Sequence, residues 1–388
     1  MRFAAETGTI ALVLAAAVSA FGQAASPLMI RGVTVVDVVN GELLPNRNIT
    51  VSGDRIVSVH PSGVAGNGPV RFAVPGLWDM HATSLEDPAA YVARGVTGVR
   101  DMSSADLEQT LALHKQIEAG KVVGPRMITG GPGLRAANPE EARAAFDRLF
   151  DTDADFVRFH SDLDFEAYIA LAERSRKWRY PLVGPLPPSV RLRDVLSLRQ
   201  SSVEGTDGLE RLTREEACGG FEGAAAAGMW FTPMLASHPA RLRRKAEALV
   251  RLMRECHAPV LAGGGVIEEV EALVDEAGFT PAEALRAATW EPARYLNSLE
   301  TLGEISIGRF ADIVLLDANP LEDIANLRRV SAVVLRGRLF HKQAIVTLRQ
   351  PPTIRGWTNA ASTSATPKPA ASSVKPPASS AKPASPTH

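Results

Sequence analysis

The sequence predicts an α/β fold: a (β/α)8 TIM barrel that carries a composite β-sandwich built from both ends of the chain. Three observations predict it. Residues 28–60 and 311–340 alternate apolar and polar side chains at the two-residue period of strands. Between them, eight short apolar runs alternate with helical stretches, over about 225 residues. The chain has 388 residues, 45% hydrophobic and 22% charged, which is enough to bury a large core.

The elements follow in order. "LMIRGVTVVDVVNG" reads as a strand, and "NITVSGDRIVSVH" as a hairpin turning at Ser52-Gly53-Asp54. The eight runs are "FAVPGLWDM", "GVTGVRDM", "PRMITGG", "ADFVRFH", "YPLVGP", "SSVEG", "MWFTPML" and "APVLAGG". Helical stretches such as "SADLEQTLALHKQIEAG" and "EEARAAFDRLF" separate most of them. Asn138-Pro139 and Thr280-Pro281, each with a Glu three residues after the cap, are helix starts. "ADIVLLDA" and "SAVVLRGRLF" return to strand. The predicted division is 27–72 with 301–347 as the sandwich and 73–300 as the barrel. A doubly wound sheet is the competing architecture, and it leaves the two β ends unexplained.

The ends read differently. Arg2, an apolar run from Ile10 to Ala20 and the small residues around Gly22-Gln23-Ala24 predict a cleaved signal peptide over 1–24, hence a periplasmic or secreted protein. That run is too short to span a bilayer. Residues 357–388 are Ala, Ser, Thr, Pro and Lys and predict a disordered tail. Its Lys368, Lys375 and Lys382 give it a basic character suited to an anionic envelope polymer. Net charge is −1, so nothing points to nucleic acid. Cys218 and Cys256 would meet an oxidising compartment and could pair; their helical settings favour two buried free thiols.

The runs "VPGLWDMHAT", "GVTGVRDMSS", "ADFVRFH", "LVGPLPPSV", "SSVEGTDGL" and "LAGGG" resemble strand ends of the amidohydrolase superfamily, in its imidazolonepropionase-like and prolidase-like branches. "TPAEALRAATWEPARYL" and "LGEISIGRFADIVLLDANPLEDI" extend that resemblance over residues 28–345. It implies a hydrolase of C–N, amide-like bonds that uses one or two divalent metals to activate water, with an aspartate on the last strand moving the proton. Carried over by position, only His81 keeps a family ligand. Thr83 stands at the second histidine, Arg158 at the bridging lysine, Pro185 and Gly205 at the next two histidines, and Gly265 at the aspartate. A guanidinium stays protonated, and proline and glycine have no ligating side chain. The substitutions predict lost or reduced metal-dependent activity, with no cofactor, or zinc only where a site is rebuilt.

His160 and His238 are the candidates to rebuild one with His81. A second possibility is a pocket for a small anion, with Arg158 as its cation and Gly263-Gly264-Gly265 as a backbone nest. Against it, Arg158 would pair with Asp79 and the glycines would be a turn. Asp101 reads as a loop cap or the partner of a neighbour rather than a base. Glu204 reads as pointing away from the pocket, out of phase with Gly205. Trp290 and Tyr295 read as helix core. No GxSxG elbow is present. Two function classes follow: a C–N hydrolase by descent, or a pseudoenzyme that binds a small anionic ligand or serves as a structural envelope protein.

Overall fold

The computed structural model describes residues 26–63, 70–103 and 106–348. The expected signal peptide and tail lie outside the described residues. The fold is α/β. Among the described residues, no helix is long and apolar enough to cross a membrane.

The first strands are β1 (Leu28–Asp37), β2 (Glu42–Ser52), β3 (Arg55–Pro61) and β4 (Phe72–Pro75). Then come β5 (Leu77–Ala82), β6 (Val96–Asp101), β7 (Arg126–Thr129) and β8 (Val157–Arg158). They are followed by β9 (Leu182–Gly184), β10 (Ser202–Glu204), β11 (Trp230–Thr232), β12 (Ile313–Leu316), β13 (Val330–Leu335) and β14 (Arg338–His341).

Strands from both ends of the chain share one seven-stranded sheet, ordered β14-β13-β12-β4-β1-β2-β3. Backbone hydrogen bonds from Ile56 to Arg309 and from Ala311 to Asp54 draw its β3 edge back toward the approach to β12. Ile30, Val35, Ile49, Ile56, Ile313 and Val334 form a separate apolar core there. The run "FAVPGLWDM" was expected to form one strand and instead breaks at Gly76. β4 pairs with β1 and β12, while β5 pairs with β6. Only glycine fits at the break, where a Cβ would sit 1.9 Å from the Thr97 hydroxyl of the next strand.

The remaining strands are parallel. β5-β6-β7 form one sheet and β8-β9-β10-β11 another. Backbone bonds link their edges. Asp155 N–H donates to Thr129 at the end of β7, and Leu134 bridges Phe159 past β8. On the other side, Phe231 of β11 bridges Val260, and Met80 N–H of β5 donates to Ala262. Each of the eight segments is thus bonded to the next, and the last to the first. The helices between them pack the largest core, with Phe146, Tyr168, Phe221 and Leu285 at its centre. The helix starts at Asn138 and Thr280 carry the caps expected of them.

Cys218 lies in the helix Arg214–Ala227 and Cys256 caps the helix Ala240–Glu255. They form a disulfide, where two free thiols were expected. The two helices run side by side and bring the Cα atoms to 5.1 Å, within disulfide range.

Candidate functional site

The parallel strands end around a cavity of about 370 Å³. In β10, period-two alternation points Ser202 and Glu204 inward and buries Val203 on the other face. Glu204 therefore faces the cavity, correcting the expectation that it points away. The error lay in phasing: Gly205 lies past the strand end with φ +79°, so it does not continue the alternation.

Glu204 is the hinge of a buried polar chain. Its Oε2 accepts from His81 Nδ1 at 2.7 Å, and its Oε1 accepts from Arg100 Nη2 at 2.6 Å. Arg100, in β6, is wholly buried. Its other hydrogens go to the Met80 carbonyl, Ser202 Oγ and Thr232 Oγ1, and its guanidinium lies over the Tyr295 ring at 5.2 Å. Burial pushes the Glu204 carboxyl up; Arg100 and the bonds from His81 and Ser202 outweigh it and bring it down to about 2. Burial likewise opposes the Arg100 charge, but Glu204 and Tyr295 hold it above its ordinary value. Because Glu204 is ionised, His81 Nδ1 must donate. In the neutral ring Nε2 is then the nitrogen that carries the lone pair, and the ring lines the cavity.

Asp79, two residues before His81, is taken up elsewhere. Its oxygens accept from the backbone N–H groups of His81, Gly264, Gly265 and Val266 at 3.0–3.2 Å. The glycine nest thus forms, at φ +79° and +97° for Gly264 and Gly265, but an internal carboxylate fills it. This corrects two expectations: the nest is not open to a ligand, and Asp79 does not pair with Arg158. Gly263 permits the close approach of this segment to β5, since a Cβ there would sit 2.6 Å from His81 N.

Arg158 Nη1 donates to the carbonyls of Met102 and Ser103 (2.8 Å to the latter). Burial lowers its pKa, partly offset by Asp101 and Glu204. His160 lines the same cavity; burial, then Arg135 and Arg158, lowers its pKa. His238 has both ring nitrogens engaged, Nδ1 with the Met234 carbonyl and Nε2 with Thr206 Oγ1. Pro185 and Gly205 also line the cavity, whereas Thr83 is exposed outside it. Asp101 accepts from Ser103 N–H and Thr129 Oγ1, as a loop cap does. His81, His160 and His238 share a cavity without forming a ligand cluster: among the described residues, no three His, Cys, Asp or Glu side chains are grouped to hold a metal.

Residues 199–340 match the sequence model of the amidohydrolase family. The amidohydrolase resemblance is borne out. Two adenine deaminases are similar at low identity: that of Roseobacter denitrificans at 24% over 82% of this chain, and that of Ruegeria sp. at 23% over 86%. The chain spans 58–60% of the length of these relatives. Among solved structures, molinate hydrolase superposes with TM-score 0.70 and 16% identity, covering 87% of this chain and 100% of that one. A Xaa-Pro dipeptidase with bound methionine in the active site superposes at 0.68 and 19%, covering 81% and 100%. Phenylurea hydrolase B does so at 0.68 and 19%, covering 84% and 100%. These structures share the fold.

Against the amidohydrolase pattern, sequence reasoning missed Arg100 and misplaced Glu204. Each is a charged residue within a strand run, and such charges are buried only in pairs.

Proposed function

We propose that the chain is an exported (β/α)8 amidohydrolase-family protein that hydrolyses a C–N bond of an amide-like small molecule, with His81 in place of a metal as the activator of water. The eight segments bonded in a ring support the barrel. Deaminase, dipeptidase and hydrolase, the names of the similar proteins, support the reaction type. The Cys218–Cys256 disulfide supports an oxidising compartment, periplasmic or extracellular.

The donor set does not fit a divalent cation. Glu204 and Asp79 spend both oxygens on internal donors. Arg158 brings a fixed positive charge to the lysine position, and Pro185, Gly205 and Gly265 offer no lone pair.

One observation carries the alternative chemistry: the buried chain Arg100–Glu204–His81, which fixes the imidazole with Nε2 toward the cavity. In the proposed step, Nε2 takes a proton from a water while the water oxygen bonds to the carbonyl carbon. Collapse breaks the C–N bond, and the imidazolium returns its proton to the leaving amine, giving a carboxylic acid and an amine.

The test is hydrolysis of dipeptides and cyclic amides by chelator-treated protein of measured metal content. Turnover that survives chelation and disappears in His81→Asn supports the reading. Turnover that returns only with stoichiometric zinc overturns it. A second reading, a binding protein without turnover, draws support from the spent hydroxyls of Thr206 and Ser237 and the spent nitrogens of His238, which leave few groups for chemistry.

A further inference from the structure

We propose that the cavity is a site for a small carboxylate, anchored by the Arg158 guanidinium with the ligand's apolar body against Met102, Phe159 and Met234. This names the substrate class of the site above and rests on that reading.

The charge on Arg158 is unbalanced. Arg158 lines the cavity, and its Nη1 is bound to two backbone carbonyls, which supply dipoles but no countercharge. The two carboxylates nearest in effect are Asp101 and Glu204. Asp101 is occupied by Ser103 N–H and the Thr129 hydroxyl. Glu204 is neutralised by Arg100, itself wholly buried. Among the described residues, the other nitrogens of Arg158 have no hydrogen-bond partner. Arg135, by contrast, is paired with Asp162. Asp207 stands exposed on the cavity lining, where solvent screens it.

A half-buried guanidinium with free donors is built for a planar anion: its fork matches a carboxylate in two parallel bonds. The cavity, about 370 Å³, is near the lower bound of small-molecule sites, about 300–1,000 Å³. Its wall of Met102, Phe159, Met234, Pro185 and Leu242 is apolar, which favours an organic acid over a bare inorganic ion.

The experiment is calorimetric titration of the whole protein with benzoate, benzamide and inorganic phosphate. Benzoate is expected to bind at least about tenfold tighter than benzamide, and Arg158→Gln to erase that difference. Equal affinity for benzoate and benzamide overturns the proposal, as does a difference that survives Arg158→Gln. Phosphate binding as tight as benzoate replaces a carboxylate site with a phosphate site and also overturns it, and so does an absence of heat from all three ligands. The wild-type comparison decides even where Arg158→Gln fails to fold. Benzoate binding without any turnover sinks only the hydrolytic reading. Turnover of amides without benzoate binding sinks only this one.

Discussion

Replacing Glu204 with Gln removes one charge from a pair that water does not reach. Arg100 is fully buried and the Glu204 side chain is 4% exposed. Removing one partner of a buried ion pair costs about 3–5 kcal/mol, because the other charge stays in place uncompensated. The titration of Glu204 gives a second route to the magnitude. Its carboxyl is drawn down from 4.5 to about 2. At about 1.36 kcal/mol per pKa unit, that displacement is worth roughly 3 kcal/mol. The two routes agree.

The sign also follows. A carboxyl whose folded value is depressed stabilises the fold above its unfolded value, and the contribution is lost as pH falls from about 4.5 toward 2. Urea unfolding followed by circular dichroism is the assay. At pH 7 Glu204→Gln is expected to lose about 3–5 kcal/mol with an unchanged denaturant slope, and the gap to wild type narrows toward pH 3. Adding Arg100→Met to Glu204→Gln is expected to recover most of the loss, since neither charge of the pair then remains. A loss under about 1 kcal/mol at pH 7 would refute the reasoning, because it would mean that Arg100 does not depend on Glu204 for its countercharge.

Two further predictions concern a buried carboxyl and the disulfide. Glu269 is buried, and desolvation pushes its carboxyl up to about 7 although it accepts from Leu235 and Ala236 N–H. The folded state therefore binds the extra proton between about 4.5 and 7, and this group's effect on stability worsens as pH rises through that window, then levels off. Glu269→Gln is expected to raise the melting temperature at pH 8, by the equivalent of about 1–3 kcal/mol, and to change little at pH 4.5; equal effects at both would refute it. Reducing the Cys218–Cys256 bond, which closes a sequence separation of 38 residues around β11, is expected to cost about 2–4 kcal/mol in urea unfolding. Cys218→Ser should show the same loss without reductant.

Much of the fold was legible because it rests on local chemistry. The caps at Asn138 and Thr280 and the turn at Gly53 are written in a few adjacent residues. The break at Gly76 was not, since it depends on Thr97, a residue of the next strand. The site divides the same way. His81, Arg158, His160 and His238 could be placed at strand ends, and all line the cavity. What each is bonded to could not be read, because the partners lie across the fold. Glu204 is 123 residues from His81 and 104 from Arg100, and Asp79 is 186 from Gly265. The thiol pairing failed for the same reason: it is set by how two helices pack, not by either helix alone.

The residues around the cavity are not independent. Glycine at position 265 adopts φ +97°, where a side chain is strained, and that backbone turns the N–H groups of Gly264, Gly265 and Val266 onto the Asp79 carboxylate. Asp79 in turn accepts from His81 N–H, so the nest fixes the end of β5. His81 then meets Glu204, whose charge exists in the interior only because Arg100 is beneath it. An aspartate introduced at 265 would impose a side chain on that left-handed backbone. It would also bring a second carboxylate toward Asp79 while disturbing the donors that hold the first. A single substitution at 265 therefore works against three bonded groups at once. Around the cavity, Asp79, His81 and Glu204 each find their partner in another residue of the chain.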